Sequence, residues 1–166
     1  MSLQLPEKLS FDEIDFNEFT SQLYKIFSDD FITSETKFLG KKVVFDNRVL
    51  DGDRYPEGFW HLITRTDYKA QGQRLPDFKR SKRLPWTKPI IEQYKEPEIK
   101  AWHNPEPSKD GNKFTEVYYL WYEAGSYLVI LKERRNGYFL ATSFYVNGYN
   151  VQKFEKKYQA GTKDLK

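Results

Sequence analysis

The sequence predicts an α+β domain in which one or more N-terminal helices pack on a curved antiparallel sheet with a C-terminal hairpin. Three observations support this fold class. An amphipathic helix pattern opens the chain, a proline-rich basic segment follows, and three runs of aromatic and β-branched residues come near the end. Helices and strands that are segregated along a chain in this way are typical of α+β domains.

Length and composition indicate one domain. The 166 residues are 39% hydrophobic and 17% aromatic, which suits a packed core, and 31% charged, which suits a soluble surface. We expect a single domain over 1–166, with flexible ends at 1–10 and 160–166. The N-terminal residues lack a leader pattern and no apolar run could cross a membrane, so no membrane partner and a cytoplasmic location are expected.

The first element is an amphipathic helix in SFDEIDFNEFTSQLYKIFSDDF. Capping patterns link Ser10 to Glu13 and Asp15 to Glu18, and large apolar residues then recur at helical spacing. After a turn at Gly40, KVVFDN predicts a short strand, and LDGDRYPEG supplies turn residues. FWHLITR then predicts a second strand, because aromatic and β-branched residues favour extended structure.

The middle segment, RLPDFKRSKRLPWTKPIIEQYKEPEIKAW, contains four prolines and therefore holds only short helices. One begins near Pro76 with Asp77 in its first turn, and another has Pro89 at its first position. EIKAWHNPEP predicts a strand. The segment KFTEVYYLWYEAGSYLVILKERRNGYFLATSFYVNGYNV predicts three more, with Asn136 and Gly137 in a hairpin turn, and VQKFEKKYQAGTKDLK predicts a final helix.

Positive charge is concentrated in one segment. Between Arg65 and Lys88, eight basic residues accompany two acidic ones, a local charge of +6 in a chain of net charge +3, so the remainder carries about −3. A positive surface beside a neutral or acidic body is typical of a site where a polyanion docks. A solvated basic loop explains the same charge equally well. The eight residues are Arg65, Lys69, Arg74, Lys79, Arg80, Lys82, Arg83 and Lys88.

His61, in GFWHLITRTDY, is the candidate titrating group. Strand alternation would place Phe59, His61 and Ile63 on one largely apolar face, which suits a core histidine at least as well as a catalytic one. The basic segment that follows favours catalysis, because phosphodiester cleavage needs one group to move a proton and others to offset phosphate charge. His103, in KAWHNPEP, precedes a turn and fits an exposed loop residue better.

The sequence lacks the signals of most other chemistries. It contains no nucleotide phosphate loop, G-x-G-x-x-G, G-x-S-x-G or H-E-x-x-H pattern. With no cysteine and two histidines, it offers no disulfide, thiolate nucleophile or Cys-ligated zinc, and we expect neither a metal nor another cofactor. Paired aspartates, such as Asp29 with Asp30, fit capping and solvating roles.

The last predicted strand carries two adjacent hydroxyl residues. Alternation in GYFLATSFYV places Leu140, Thr142 and Phe144 on one face and Ser143 on the other. Thr142 and Ser143 have a structural explanation in β propensity and close packing. A hydroxyl here could instead bond a phosphate oxygen if the strand borders the basic segment, and the sequence leaves both explanations open.

Three stretches, GFWHLITR, RLPDFKRSKRLPWTKPII and GSYLVILKERRNGYFLATSFYV, together resemble a phage- and mobile-element-associated branch of the barnase, EndoU, colicin and RelE-like nuclease superfamily. The resemblance covers about residues 38–158. It implies a small α+β domain with a curved antiparallel sheet, a toxin-like role and metal-independent RNA cleavage.

The resemblance also implies roles for individual residues. His61 becomes the candidate histidine, Arg65 a possible phosphate contact, and the catalytic lysine of EndoU-like members has no unique match, with Lys82 and Lys132 as candidates. Exposed tryptophans near a basic groove, with Trp86 and Trp102 as candidates, could stack on bases. Together we expect a catalytic set of His61, Arg65, Arg80 and Thr142 and a substrate-binding set of Lys82, Arg83, Trp86, Lys88 and Ser143.

Three functions are compatible with these observations, and the first two are the main candidates. In the first, RNA binds along 65–88 and its 2′-hydroxyl attacks phosphorus while His61 moves a proton, giving a 2′,3′-cyclic phosphate and a 5′-hydroxyl. In the second, the domain binds nucleic acid or protein without cleavage and His61 is structural. A third, an accessory protein with no nucleic-acid role, predicts basic residues that point in many directions. RNA is the expected partner, and an immunity or antitoxin protein is a second candidate.

Overall fold

The computed structural model describes residues 2–12, 16–67 and 72–165. These ranges contain five helices and eight strands. In chain order they are α1 (Phe16–Phe31), β1 (Lys37–Phe38), β2 (Lys41–Val44), α2 (Glu57–Ile63), β3 (Thr64–Asp67), β4 (Gln73–Pro76), α3 (Phe78–Lys82), a 3₁₀ turn (Leu84–Trp86), α4 (Thr87–Glu92), β5 (Ile99–Pro107), β6 (Phe114–Tyr122), a second 3₁₀ turn (Glu123–Gly125), β7 (Tyr127–Arg134), β8 (Gly137–Tyr145) and α5 (Gly148–Ala160).

Six strands form one curled sheet in the order β1-β2-β8-β7-β6-β5. Every neighbouring pair is antiparallel except β2 and β8, which run parallel. The remaining strands, β3 and β4, form a separate two-stranded ribbon. The predicted α+β class, with a curved sheet and a C-terminal hairpin, is confirmed.

Each face of the sheet carries its own hydrophobic core. On one face, the N-terminal helices bury residues such as Leu23, Phe27 and Phe59 against the strands. On the other face, α5 covers a smaller cluster that includes Trp102 and Phe154. The predicted N-terminal helix is confirmed, because large apolar residues along α1 are buried at helical spacing. The capping residues at 13 and 15 lie outside the described residues.

The strand predicted for FWHLITR is wrong over most of its length, because these residues form α2 and only the end enters β3. Pro56 precedes the helix and Glu57 lies in its first turn, which suits a helix start. Phe59, Leu62 and Ile63 are fully buried, at the spacing of one helix face. Burial against the sheet therefore outweighs the strand propensity of these side chains.

A β-bulge in β8 overturns the predicted grouping of its side chains. Leu140 and Thr142 pair with consecutive residues of β7, which leaves Ala141 as an extra residue. Leu140 consequently packs in the core under the N-terminal helices, whereas Phe144 packs on the α5 side. The expected face is therefore wrong for Leu140, whereas Thr142 and Phe144 share a face as predicted.

Two predicted boundaries shift by one or two residues. The β7–β8 turn consists of Arg135 and Asn136, because Gly137 already pairs with Arg134. A side chain at Gly137 would collide with the backbone carbonyl of Lys42, which explains a glycine at this position. Helix α4 likewise begins at Thr87, before the proline that was expected to open it.

Both ends of the described chain contact the fold. His103 of β5 donates to the Thr162 carbonyl at 2.9 Å and accepts from the Thr162 amide at 3.0 Å. Gly161 lies so close to the Trp102 ring that a Cβ atom would collide with it. At the other end, the Leu3 amide donates to Glu98 at 2.9 Å and Leu3 packs against the larger core.

Asp30, in the last turn of α1, makes stability depend on pH. Burial raises the pKa of Asp30 from 3.8 to about 6, against the attraction of Lys88. The folded state binds more protons than the unfolded state between these values, so stability falls as the pH rises through this window. The full change corresponds to about 3 kcal/mol, which solvent screening of this half-exposed side chain reduces to about 1 kcal/mol.

Asp30→Asn is therefore expected to be about 1 kcal/mol more stable than the wild type above pH 6 and equal to it below pH 3.8. Urea denaturation at both ends of this range measures the difference. Asp29→Asn is the control, because Asp29 is exposed and forms a surface pair with Lys25. An equal effect of Asp30→Asn at both pH values would contradict the assignment.

Candidate functional site

His61 lies in the last turn of α2, half-buried, with its ring against an arginine. Its Nδ1 atom is 2.7 Å from Nη2 of Arg74. Because a guanidinium can only donate, Nδ1 is the acceptor and the neutral ring carries its proton on Nε2. Burial lowers the pKa of His61 and the charge of Arg74 lowers it further, while Asp46 opposes the shift and Arg80 adds to it. His61 is therefore neutral at pH 7.

Arg74 is positioned by the register of the β3–β4 ribbon. Thr66 pairs with Arg74 and Thr64 pairs with Pro76, so Arg74 and Thr64 share one ribbon face. Nη1 of Arg74 donates to Thr64 Oγ1 at 3.0 Å while Nη2 reaches His61. Arg74 belongs to the predicted basic segment, but the sequence pattern assigns it no individual role. The register of the β3–β4 ribbon distinguishes Arg74 from the other basic residues, and residue patterns alone do not give that register.

Arg80 connects α3 to the end of α2 through side-chain hydrogen bonds. Asp77 caps α3 by accepting from the Arg80 amide at 3.0 Å. The Arg80 side chain is 14% exposed, and its Nη1 donates to the carbonyls of His61 at 2.8 Å and Thr64 at 2.6 Å. Burial lowers the pKa of Arg80, and the charge of Asp77 at 3.5 Å counters this effect. Arg80 thus fixes the backbone that carries His61.

The predicted hydroxyl residues occupy different environments. Thr142 Oγ1 donates to the His61 carbonyl at 3.1 Å, so β8 and Arg80 hold the same oxygen. Ser143 is fully buried, and its hydroxyl bonds the Tyr127 hydroxyl, which in turn bonds Thr87. Ser143 therefore belongs to a buried hydroxyl chain and does not reach the surface.

Arg65 and Arg83 make different contacts. Arg65, on the opposite ribbon face from Arg74, is exposed and donates to the Pro76 carbonyl at 2.9 Å. The Arg83 guanidinium lies 4.6 Å from the ring centre of Tyr145 and 5.5 Å from that of Trp86. Arg83 therefore forms a cation–aromatic cluster at the end of β8.

Lys82 and Lys88, the two remaining predicted substrate contacts, interact with other parts of the protein. Lys82 lies over the Phe11 ring at 5.4 Å. Lys88 donates to the Glu35 carbonyl and to Thr36 at 3.1 Å each, which makes it a structural contact. Trp102, a candidate for base stacking, is fully buried, so that expectation is wrong. Lys69 lies outside the described residues.

A cleft of about 530 Å³ opens beside Arg74. Trp60 supplies an aromatic wall, and Asp53 and Glu57 place two carboxyl groups at its rim. Such a site offers a flat apolar surface, one cation and two carboxylate acceptors, which suits a ligand with an aromatic ring and hydrogen-bond donors. The full lining is Phe16, Asn17, Leu50, Asp53, Glu57, Trp60, Thr64, Arg74 and Pro76.

Three arginines near His61 carry positive charge that few direct ion pairs offset. Arg65 and Arg74 both lie close enough to Arg80 to lower its pKa further. Among the described side chains, Asp77 is the only carboxylate that pairs with any of these three arginines. Arg74 is the one whose guanidinium contacts the His61 ring, and a phosphate has the charge and geometry that a guanidinium binds best.

Within the described ranges, no group of three histidine, cysteine or acidic side chains has the arrangement of a metal site. Of the helices described above, none is both long and apolar enough to cross a membrane. No family model matches the chain, and neither a curated protein nor a solved structure matches it. Assignment of a function therefore depends on the geometry of the site and on the resemblance in sequence.

Proposed function

We propose that the protein is a metal-independent endoribonuclease of the cytoplasm with His61 and Arg74 at its active site. The contact between Arg74 and Nδ1 of His61, beside the positive charge of Arg65 and Arg80, carries this proposal. A substrate phosphate bound by Arg74 offsets part of this positive charge. Binding of that phosphate by Arg74 also releases Nδ1, so the substrate itself uncovers the proton acceptor.

The low pKa of His61 favours the role of general base. Nδ1 of His61 takes the proton of a ribose 2′-hydroxyl, and the 2′-oxygen attacks the adjacent phosphorus. The bond from phosphorus to the 5′-oxygen breaks, and that oxygen takes a proton from water. Arg74 stabilises the charge on the phosphoryl oxygens. The products are a 2′,3′-cyclic phosphate and a 5′-hydroxyl.

In this proposal Arg80 and Thr142 are positioning residues, although the resemblance implied catalytic roles for both. They donate hydrogen bonds to the His61 carbonyl, and this contact holds the end of α2 in place. The Trp60 wall of the adjoining cleft provides a surface for a base of the substrate.

Binding of RNA without cleavage is a second candidate function. The engagement of His61 Nδ1 by Arg74 favours it, because a histidine whose acceptor is already occupied can serve to orient an arginine. In that case Arg74 contacts phosphate and His61 is structural. The two functions make different predictions for the same variants.

Cleavage of transfer RNA and single-stranded RNA in EDTA tests the proposal. We expect His61→Ala to lower the rate by about 10²–10⁴-fold, with cyclic-phosphate ends in the wild-type products. His103→Ala is the matched control. His103 pairs with Glu116 on β6, so this variant should keep full activity. Thermal unfolding of each variant confirms that it is folded.

Equal cleavage by His61→Ala and the wild type would contradict the assignment of His61. If neither cleaves but Arg74→Gln weakens the binding of RNA, the second function is supported.

A further inference from the structure

A second basic region lies at the end of the chain. Residues 127–166 contain eight basic and three acidic residues, and the proposed active site uses none of the eight. Helix α5 covers the part of the sheet that includes Trp102 and Trp121. Toward the β7–β8 turn, the same face carries Lys132 and Arg134 beside an open cleft.

Two adjoining clefts mark this part of the face. One, of about 250 Å³, is lined by Lys109, Lys132 and Arg134 among others. The next, of about 360 Å³, is lined by Arg134 and Arg135. The Arg134 guanidinium lies 4.7 Å from the Phe139 ring centre, which holds it between the two clefts. In the part of the chain that the structure describes, no salt bridge involves any of these four cations.

Helix α5 extends the same positive surface. Glu106, the carboxylate in the first cleft, accepts from the Tyr119 hydroxyl and pairs with Lys157 at 3.6 Å. Lys153 lies one helical turn before Lys157 and is exposed. Tyr149, one further turn back, is 92% exposed. Cations and a free aromatic ring therefore follow one another across this face.

We propose that this cationic sheet face, formed by Lys109, Lys132, Arg134, Lys153 and Lys157, binds the phosphate backbone of single-stranded nucleic acid. Lys109, Lys132 and Arg134 line the clefts without a salt bridge among the described residues, which suits a chain of phosphates. The exposed Tyr149 ring, further along α5, suits base stacking. An anionic membrane fits less well, because these cations line recessed clefts instead of flanking a protruding apolar surface.

The two clefts are distant from the proposed active site. Thr142, which contacts His61, is five residues along β8 from Gly137 at the turn, a distance of roughly 17 Å. The inference extends the proposed function, as a docking surface for long RNA, but it does not require His61 to cleave.

Fluorescence anisotropy with a labelled 2′-O-methyl RNA of about ten nucleotides tests the proposal, since such a probe lacks the nucleophile and stays intact. The test variant is Lys132→Gln with Arg134→Gln. Lys8→Gln with Lys95→Gln is the control, because it removes the same charge from exposed residues elsewhere. We expect the test variant to bind about tenfold or more weakly at ~0.1 M salt, with a log–log salt slope shallower by about 1.4, and the control to stay within about twofold.

Absence of salt-dependent binding by the wild type would overturn the proposal, as would equal loss in the test and control variants. A probe of single-stranded DNA with the same sequence shows whether the surface binds RNA, DNA or both. Weakened binding of either polymer by the test variant supports the proposal. Vesicles of phosphatidylcholine and phosphatidylserine provide the lipid arm, and loss of vesicle binding without loss of RNA binding would overturn it.

Cleavage assays distinguish this proposal from the function proposed above. The test variant should cleave a dinucleotide at the wild-type rate, because such a substrate is too short to reach the cationic sheet face. His61→Ala should bind the 2′-O-methyl RNA normally. Binding without any cleavage leaves the docking surface supported and the ribonuclease assignment contradicted, whereas cleavage without an effect of the test variant gives the opposite result.

Discussion

Replacing Trp102 by alanine is expected to lower the free energy of unfolding by about 3–5 kcal/mol. Trp102 is fully buried on the α5 side of the sheet. Its ring stacks on Tyr119 with centroids 4.8 Å apart and an interplanar angle of 7°, and it meets the edge of Tyr158. Alanine removes these contacts and leaves a cavity between α5 and the sheet.

Guanidinium denaturation of Trp102→Ala measures this loss. Trp86→Ala is the comparison, because Trp86 is only partly buried and lies against Tyr122 and Tyr127 on the other side of the sheet. We expect Trp86→Ala to cost less. A loss below about 1 kcal/mol for Trp102→Ala would contradict a close-packed second core.

Replacing Arg74 by glutamine is expected to lower kcat/KM for RNA by about 10²–10³-fold. The same change should raise the pKa of His61, because it removes the cation nearest to the ring. In the wild type, kcat/KM should rise with pH, and the midpoint of this rise should lie below the usual pKa of a histidine. In Arg74→Gln the acidic limb should move to higher pH.

The pKa of His61 can be followed by NMR of the imidazole protons, which does not depend on activity. Arg74→Lys is the matched variant, since it keeps the charge, and it should retain most of the lowered pKa. The His103 signal serves as an internal reference, because Arg74 does not contact it. An unchanged or lower pKa of His61 in Arg74→Gln would show that Arg74 does not control this histidine.

The sequence was sufficient to predict the elements that are long or strongly patterned. Helix α1 and strands β5 to β8 have periodic apolar residues, and their order defines the α+β class. Helix α2 is seven residues long, and its aromatic and β-branched side chains favour a strand. Its helical state depends on burial of Phe59 and Leu62 against parts of the chain far away in sequence, which local patterns do not encode.

The site could be predicted in part. His61, Arg80 and Thr142 were singled out, and the structure brings them together at the His61 carbonyl. Arg74 could not be selected from the other basic residues, because only the ribbon register turns it toward His61. The basic residues at the end of the chain are also not evident from net charge, because acidic residues elsewhere make the net charge of the chain outside 65–88 negative.

A free sheet edge is a template to which another chain can add a strand. On β5, the outward backbone positions fall at residues 101, 103, 105 and 107. Thr162 satisfies both groups of His103, while Pro105 and Pro107 have no N–H to donate. The opposite edge, β1, is two residues long. Within the described residues, the two outer strands of the six-stranded sheet thus offer few backbone groups for pairing with another chain, which reduces edge-to-edge aggregation.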